Sequence, residues 1–173
     1  MDDTRNLVDE LKGLENEEVF QKLSERRNKL EVAIENLSHD FNIGTVVRNA
    51  NNFNVNKVYI IGKKKYNRRG AMCTDKYVEV IHCEKIDDFL EMIRDKELVA
   101  IENNVERAKG LSKKKFGENT VLVFGSESDG ISKELLEVCG DVREIEGFGS
   151  TRSVNVGVAS GIAMYEWVRQ CVL

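Results

Sequence analysis

The segment VREIEGFGSTRSVNVGVASGIAMYEW, Val142 to Trp167, joins a strand, a polar loop and a helix without a break. Val142 to Ile145 alternates as a strand does. Gly147, Gly149, Ser150, Ser153 and Asn155 follow, with Arg152 among them. Beyond Asn155 the apolar residues Val156, Val158, Ile162, Met164 and Tyr165 are interleaved with the small residues Gly157, Ala159, Ser160, Gly161 and Ala163. A helix is predicted over 153–172. Glycine inside it costs about 1 kcal/mol against alanine, so this helix is expected to lie close against another backbone. A strand leading through a loop into a helix is the unit of a parallel sheet, whose ligands sit beyond the carboxyl ends of the strands.

Working outward, the same unit recurs. LEVAIENL (30–37), VYIIG (58–62), VEVIHC (78–83), LVAIE (98–102) and VLVFG (121–125) read as strands. Helices are predicted over 43–53, 85–96 and 132–139. The expected fold is α/β, a mainly parallel sheet with helices on both faces, over 31–173. Leu7, Val8, Leu11, Leu14, Val19, Phe20 and Leu23 recur at helical spacing, so 1–30 is read as an N-terminal helical extension. The loop NNVERAKGLSKKKFGEN, 103–119, is long enough to carry function.

The bulk numbers narrow the classes. The chain has 173 residues, 41% of them hydrophobic, and a net charge of −4. That suits one folded domain and argues mildly against non-specific nucleic-acid binding. No apolar run is long enough to span a bilayer, and the acidic start lacks a signal-peptide core. Cys73, Cys83, Cys139 and Cys171 are scattered, as in a reduced, cytoplasmic protein with no metal site. His39 and His82 read as surface or packing residues.

Three loops after strands hold the residues capable of chemistry. In NIGTVVRNANNF, Asn42 is a candidate N-cap. Ile43, Val46, Val47, Ala50 and Phe53 form an apolar stripe, and Arg48 lies off it. Because helical side chains lean toward the N-terminus, Arg48 can pass over the bare Gly44 toward the strand ends; an exposed arginine on a capped helix is the simpler reading of the spacing alone. In FGSESDGIS, Gly125 and Gly130 allow a tight turn, Glu127 can hold an arginine, and Ser132 starts a helix; a plain strand–turn–helix connection is the simpler reading. In the third loop, Gly147 and Gly149 expose backbone groups suited to a flat heterocycle, and Ser153 and Asn155 flank Val154. A phosphate site competes there, but neither G-K-[ST] nor G-x-G-x-x-G is present.

These three loops, in this order, resemble the three motifs of the SpoU/TrmH class of SPOUT RNA methyltransferases: Asn42 to Ala50, Val123 to Ser132 and Ile145 to Trp167. The resemblance spans about 31–170. It implies a C-terminal trefoil knot, a homodimer with the active site near its interface, S-adenosylmethionine as cofactor, and methylation of a ribose 2′-hydroxyl in tRNA or rRNA. It assigns catalysis to Arg48, Asn42, Glu127, Ser153 and Asn155, and cofactor contacts to Ile101, Gly125, Ile145, Gly147 and Val154. Glu146 replaces the usual proline of the third motif, which is expected to place a charge near the cofactor.

Bringing an arginine to neutrality costs roughly 9 kcal/mol at 1.36 per pKa unit. Arg48 is therefore expected to act as a cation that stabilises the developing alkoxide and grips a phosphate, aimed by Glu127 and Asn42. The acid-free run KKKYNRRG supplies an RNA surface of Lys63, Lys64, Lys65, Tyr66, Arg68 and Arg69, with Tyr66 available for stacking; Lys113 to Lys115, Arg26 and Arg27 are further candidates. A non-catalytic RNA-binding module of the same fold and a base-methylating enzyme are the alternatives.

Overall fold

The computed structural model describes residues 3–36 and 42–173; His39 lies outside the described residues. Seven strands form one sheet: β1 (Glu31–Asn36), β2 (Lys57–Gly62), β3 (Glu79–Cys83), β4 (Glu97–Ile101), β5 (Lys109–Gly110), β6 (Thr120–Phe124) and β7 (Asp141–Glu144). Their order is β3-β2-β1-β6-β4-β7-β5, and every adjacent pair is parallel. The helices are α1 (Asn16–Ser24), α2 (Ile43–Asn52), α3 (Ile86–Met92), α4 (Lys133–Val138) and α5 (Val156–Cys171).

Strand alternation sends side chains to two cores. Val32, Ile34, Val58, Ile60, Leu122 and Phe124 pack beneath α2 and α5, through Val46, Val47, Ala50, Ala163, Met164 and Trp167. Ala33, Tyr59, Ile61, Val121 and Val123 meet Phe89 of α3 and Leu135 of α4 on the other face. Helices on both faces are thus as the sequence pattern predicts. β1 is buried along its whole length, including Glu31 and Glu35. Each has partners that repay its desolvation: the Glu31 carboxylate accepts from the Tyr59 hydroxyl (3.0 Å) and Asn56 Nδ2 (2.9 Å) and pairs with Lys96 (3.0 Å), while Glu35 accepts from Ser132 N (2.6 Å). Buried acids are stable when paired in this way.

The N-terminal segment departs from the helical expectation. A single 3-10 turn at Asp9–Leu11 precedes α1, because Gly13 turns the chain in the left-handed region (φ +79) and Glu15 opens α1 with a capping box to Glu18. The apolar spacing is satisfied without a continuous helix: Leu7, Leu11, Leu14, Val19 and Leu23 cluster around Tyr77. α3 also stops short, at Met92 rather than Lys96.

The connection from β4 adds β5 at the outer edge and then returns to β6 on the opposite side of β4. β7 enters between β4 and β5. The returning segment is held to β7 by Arg143, which is fully buried. Its guanidinium donates to the Lys114 and Lys115 carbonyls (2.7 and 3.0 Å) and to Asp141 Oδ2 (3.1 Å), and its Cζ lies 3.7 Å from the Phe116 ring centroid. On the C-terminal side, Trp167 Nε1 donates to Gly117 O (3.0 Å) and Phe116 N donates to Gln170 Oε1 (2.9 Å), which clasps α5 against the same segment.

Burial opposes ionisation of Asp141, but the hydrogen bonds and charges of Lys114 and Arg143 outweigh it and hold the carboxyl below the usual range. A depressed carboxylate stabilises the fold above its unfolded pKa of about 3.9, and that contribution is lost as pH falls. Asp141→Asn, which leaves Arg143 facing a neutral partner, should cost roughly 3 kcal/mol at neutral pH. In urea unfolding the gap between variant and parent should narrow as pH drops below about 4.

Candidate active site

The site is built where β1, β4, β6 and β7 end on one edge of the sheet. Glu127, in the turn after β6, is its hub. Its Oε2 accepts from Asn155 Nδ2 (3.0 Å), from Val156 N (3.1 Å) and from Asn42 Nδ2 (3.2 Å). Asn155 Nδ2 also donates to Asn42 Oδ1 (3.0 Å). Residues 85 and 113 positions apart in sequence thus meet in one hydrogen-bonded cluster. Asn155 also caps α5, where its Oδ1 accepts from Gly157 N (2.9 Å) and Val158 N (3.3 Å). Asn42 stands at the cap position of α2 but makes no capping bond; its amide is turned to Glu127 and Asn155 instead.

α5 is seated on α2 by its small residues. A Cβ on Gly157 would come within 2.9 Å of Thr45 Cγ2. That closeness lets Asn49 Nδ2 reach Gly157 O (2.8 Å) and Ser160 Oγ (3.0 Å). This is the close approach that the small-residue spacing predicts. Gly125 has a stricter need: a Cβ there would lie 1.9 Å from the Gly130 carbonyl carbon. The turn 125–130 closes on itself through Ser126 and Gly130, each N–H donating to the other's carbonyl at 3.0 Å.

A cavity of about 430 Å³ opens beside the hub. Ile101, Gly125, Ile145 and Val154 line it together with Ser153 and Glu127, so four of the five expected cofactor residues converge. Apolar walls come from Phe124, Ile131 and Leu136, and the carboxylates of Glu102 and Asp129 lie on the rim. Gly147 is not among the lining residues, and a Cβ there would meet nothing nearer than Thr151 O at 3.7 Å. Glu146 likewise points elsewhere, against Gly110 and into a neighbouring groove with Phe148 and Ile162; the expected charge beside the cofactor is not placed there. Two residues are not singled out by the sequence pattern. Asn103 Nδ2 ties the third loop down through Ile145 O (3.1 Å) and Arg152 O (3.0 Å), and Glu102 Oε2 accepts from Ile131 N (2.9 Å). Both directly follow β4, the kind of position that holds the other site residues, and that was their available signal.

Arg48 takes a different position from the one expected. The space above Gly44 is filled by the turn that follows β2, since a Cβ on Gly44 would lie 2.8 Å from Ala71 N and Asn67 O. Arg48 is exposed, makes no pair with Glu127, and lines a separate cleft with the N-terminal segment. Of the basic run, Lys63, Lys64, Lys65, Arg68 and Arg69 are exposed, and buried Asn36 anchors the run by donating to the Lys63 and Lys65 carbonyls. Tyr66 is half-buried against the core. Its ring lies beneath Arg68, 5.8 Å from Cζ, and burial raises its hydroxyl pKa; it is a packing residue rather than an open stacking platform. Arg27 is structural as well, donating to the Asn56 and Tyr77 carbonyls (2.8 and 3.1 Å). Arg26 pairs with Glu10, and Lys114 pairs with Asp141 and Glu97 at the opposite, amino-terminal edge of the strands. Among the described residues no group of His, Cys, Asp and Glu is placed to hold a metal ion, and no helix is long and apolar enough to cross a membrane.

A parallel sheet whose post-strand loops are knitted around a cavity of about 430 Å³, with the last helix capped by a residue of that same network, defines the class to which the three motifs point. The model of the SpoU rRNA methylase family matches residues 29–165, and the chain belongs to that family. The tRNA (guanosine(18)-2′-O)-methyltransferase of Aquifex aeolicus (strain VF5) is 30% identical over 157 residues, 86% of this chain and 72% of that protein. The crystal structure of the A. aeolicus TrmH/SpoU tRNA modifying enzyme has a TM-score of 0.77 at 28% identity, covering 90% of this chain and 81% of that one. The AdoMet-bound rRNA methyltransferase from Sinorhizobium meliloti shares the fold, with a TM-score of 0.75 at 20% identity over 87% of this chain and 61% of that one.

The two roles of Asn155, as cap and as hub donor, are separable. Asn155→Ala should cost about 1 kcal/mol of capping energy and lower Tm by about 2–4 °C. Asn155→Ser keeps a capping oxygen but loses the amide donation to Glu127, so calorimetry should find most of the stability restored, while methyl transfer to RNA is lowered in both variants.

Proposed function

We propose that the chain transfers the methyl group of S-adenosylmethionine to a ribose 2′-hydroxyl in tRNA or rRNA, as a cytoplasmic enzyme. The observation that carries this reading is the convergence of Ile101, Gly125, Ile145 and Val154 on one cavity that abuts the Glu127–Asn42–Asn155 cluster. The apolar walls suit an adenine ring, and the acidic rim of Glu102 and Asp129 suits the ammonium and sulfonium charges of the donor. The relatives whose names specify 2′-O-methylation of tRNA support the acceptor. The trefoil knot belongs to the same proposal, supported by the way β7 enters between β4 and β5 within the segment that clasps α5.

In the reaction the ribose oxygen forms a bond to the methyl carbon as the carbon–sulfur bond breaks. The electron pair goes to sulfur, leaving S-adenosylhomocysteine, and the hydroxyl proton leaves to a phosphate or water. Alignment is the main contribution, worth up to roughly 7–11 kcal/mol. In this reading Ser153 and Asn155 orient the ribose, and Asn42 and Glu127 fix Asn155. Arg48 contributes its charge to the phosphate and developing alkoxide; it is exposed and has no ion-pair partner among the described residues. Lys63, Lys64, Lys65, Arg68 and Arg69 hold flanking phosphates, and Tyr66 supports the loop that carries them. Residues 1–30 are read as an extension to the methyltransferase domain of 31–173.

The protein is further proposed to work as a homodimer. Val158, Ile162 and Tyr165 present an exposed apolar stripe on α5, and Phe148 beside it is 98% exposed. A stripe of this kind on a small domain marks an association surface, and it borders the groove containing Asn155.

Calorimetry should show S-adenosylmethionine binding and no binding of ATP or NAD. With labelled donor and total tRNA and rRNA, mass spectrometry should find the label in a 2′-O-methylnucleoside; label in a base, or none, overturns the reading. Arg48→Ala should retain donor binding and lose about a hundredfold in turnover. Ile162→Glu should run as a monomer in size-exclusion chromatography with light scattering.

A further inference from the structure

The cleft that Arg48 lines is a second cavity, of about 490 Å³, bounded by residues 4–7, by α2 and by the turns 72–77. We propose that it is a nucleotide subsite: the N-terminal segment forms one wall of a pocket for the nucleotide next to the one being methylated, on a single or splayed RNA strand. The inference rests on the methyltransferase reading above and assigns the N-terminal segment a part in it.

The cavity is cationic. Arg48 and Lys76 line it, are both exposed, and have no ion-pair partner among the described residues. Six of the ten other arginines are already paired: Arg5 with Asp3, Arg26 with Glu10, Arg68 with Asp75, Arg94 with Glu91, Arg143 with Asp141 and Arg169 with Glu166. In a chain of net charge −4, two uncompensated cations around one cavity fit a phosphate.

Its backbone is strained and its walls suit a base. Met72 and Cys73 lie on the cleft with φ of 48 and 66, a region non-glycine residues rarely occupy and one found at ligand-contacting sites. This backbone holds the Met72 side chain 66% exposed, across a cavity that Leu7 also lines. A polarisable thioether and a leucine are suitable surfaces for a base face. In the same lining, Asn51 keeps a buried Oδ1 without a partner among the described residues, a polar group that a small side-chain rotation can offer to a base edge.

The N-terminal wall is preformed. Asp3 accepts from Gly13 N (2.8 Å) and from Arg5. Arg5 donates to Leu14 O (2.6 Å) and Asn16 Oδ1 (3.1 Å), and the Tyr77 hydroxyl donates to the same Asn16 oxygen (3.1 Å). The segment is therefore wired into the domain rather than frayed. The cleft also lies at the right distance from the site. Arg48 and Asn42 are six residues apart along α2, about 9 Å along its axis, so a strand whose ribose reaches Asn155 can place its neighbour in the cleft. A duplex cannot put a base into such a cavity.

The full-length protein carrying methyl-¹³C methionine supplies the readout. Met72 reports on the cleft, while Met92 on α3 and buried Met164 on α5 serve as controls. Short single-stranded oligo(A), oligo(C) or oligo(U) ribonucleotides should shift the Met72 signal saturably and leave Met92 and Met164 in place, and a blunt RNA duplex should not. Lys76→Glu should weaken oligoribonucleotide affinity at least about tenfold, since it reverses a phosphate contact, and Leu7→Ala should weaken it without changing the salt dependence. S-adenosylmethionine binding, measured on the same samples by calorimetry, should be unchanged in both variants. A silent Met72 on addition of RNA, or wild-type affinity in Lys76→Glu, overturns the subsite while donor binding leaves the methyltransferase reading standing. Loss of donor binding in the parent protein would instead remove that reading.

Discussion

One carboxylate oxygen holds the candidate site together. Glu127 Oε2 receives N–H groups from α2's leading residue, from the residue that caps α5 and from α5's own first amide. The hub and its partners arrive on three separate loops, each following a different strand. Hydrogen bonds to a carboxylate are worth roughly twice neutral ones, and Glu127 itself lines the cavity. The cavity's shape therefore depends on Glu127 being where β6 delivers it, and that in turn depends on the turn 125–130, which has no room for a side chain at Gly125.

The close seating of α5 on α2 is the second constraint, and it is coupled to the first. Gly157, Ser160 and Gly161 let Asn49 reach across to α5, which positions Asn155 within reach of Asn42. Packing and site geometry thus share residues. Asn155 caps a helix and also donates to the hub, so its contribution to stability and to chemistry is carried by different atoms of one amide.

The N-terminal segment shows how spacing can be right and conformation wrong. Leu7, Leu11, Leu14, Val19 and Leu23 do bury a common surface around Tyr77, but Gly13 and the Glu15 capping box divide the segment. What the division achieves is a bent wall beside Arg48. In β1, Glu31 and Glu35 lie inside because both sheet faces are covered and each acid has partners.

The amino-acid order by itself determined the strand–loop–helix periodicity, the parallel α/β class and the three post-strand loops, because alternation, helical spacing and small-residue runs are local signals. It also marked Gly125 and Gly157, whose need for absence of a side chain is written in the residue type. The tertiary structure decided which polar groups meet. Asn42 turned from capping α2 to bonding Glu127, Arg48 was displaced from Gly44 by the turn at Asn67–Ala71, Tyr66 was packed rather than open, and Asn103 proved to anchor the third loop. Those outcomes depend on residues far apart in sequence competing for the same few ångströms, and sequence periodicity carries no term for that competition.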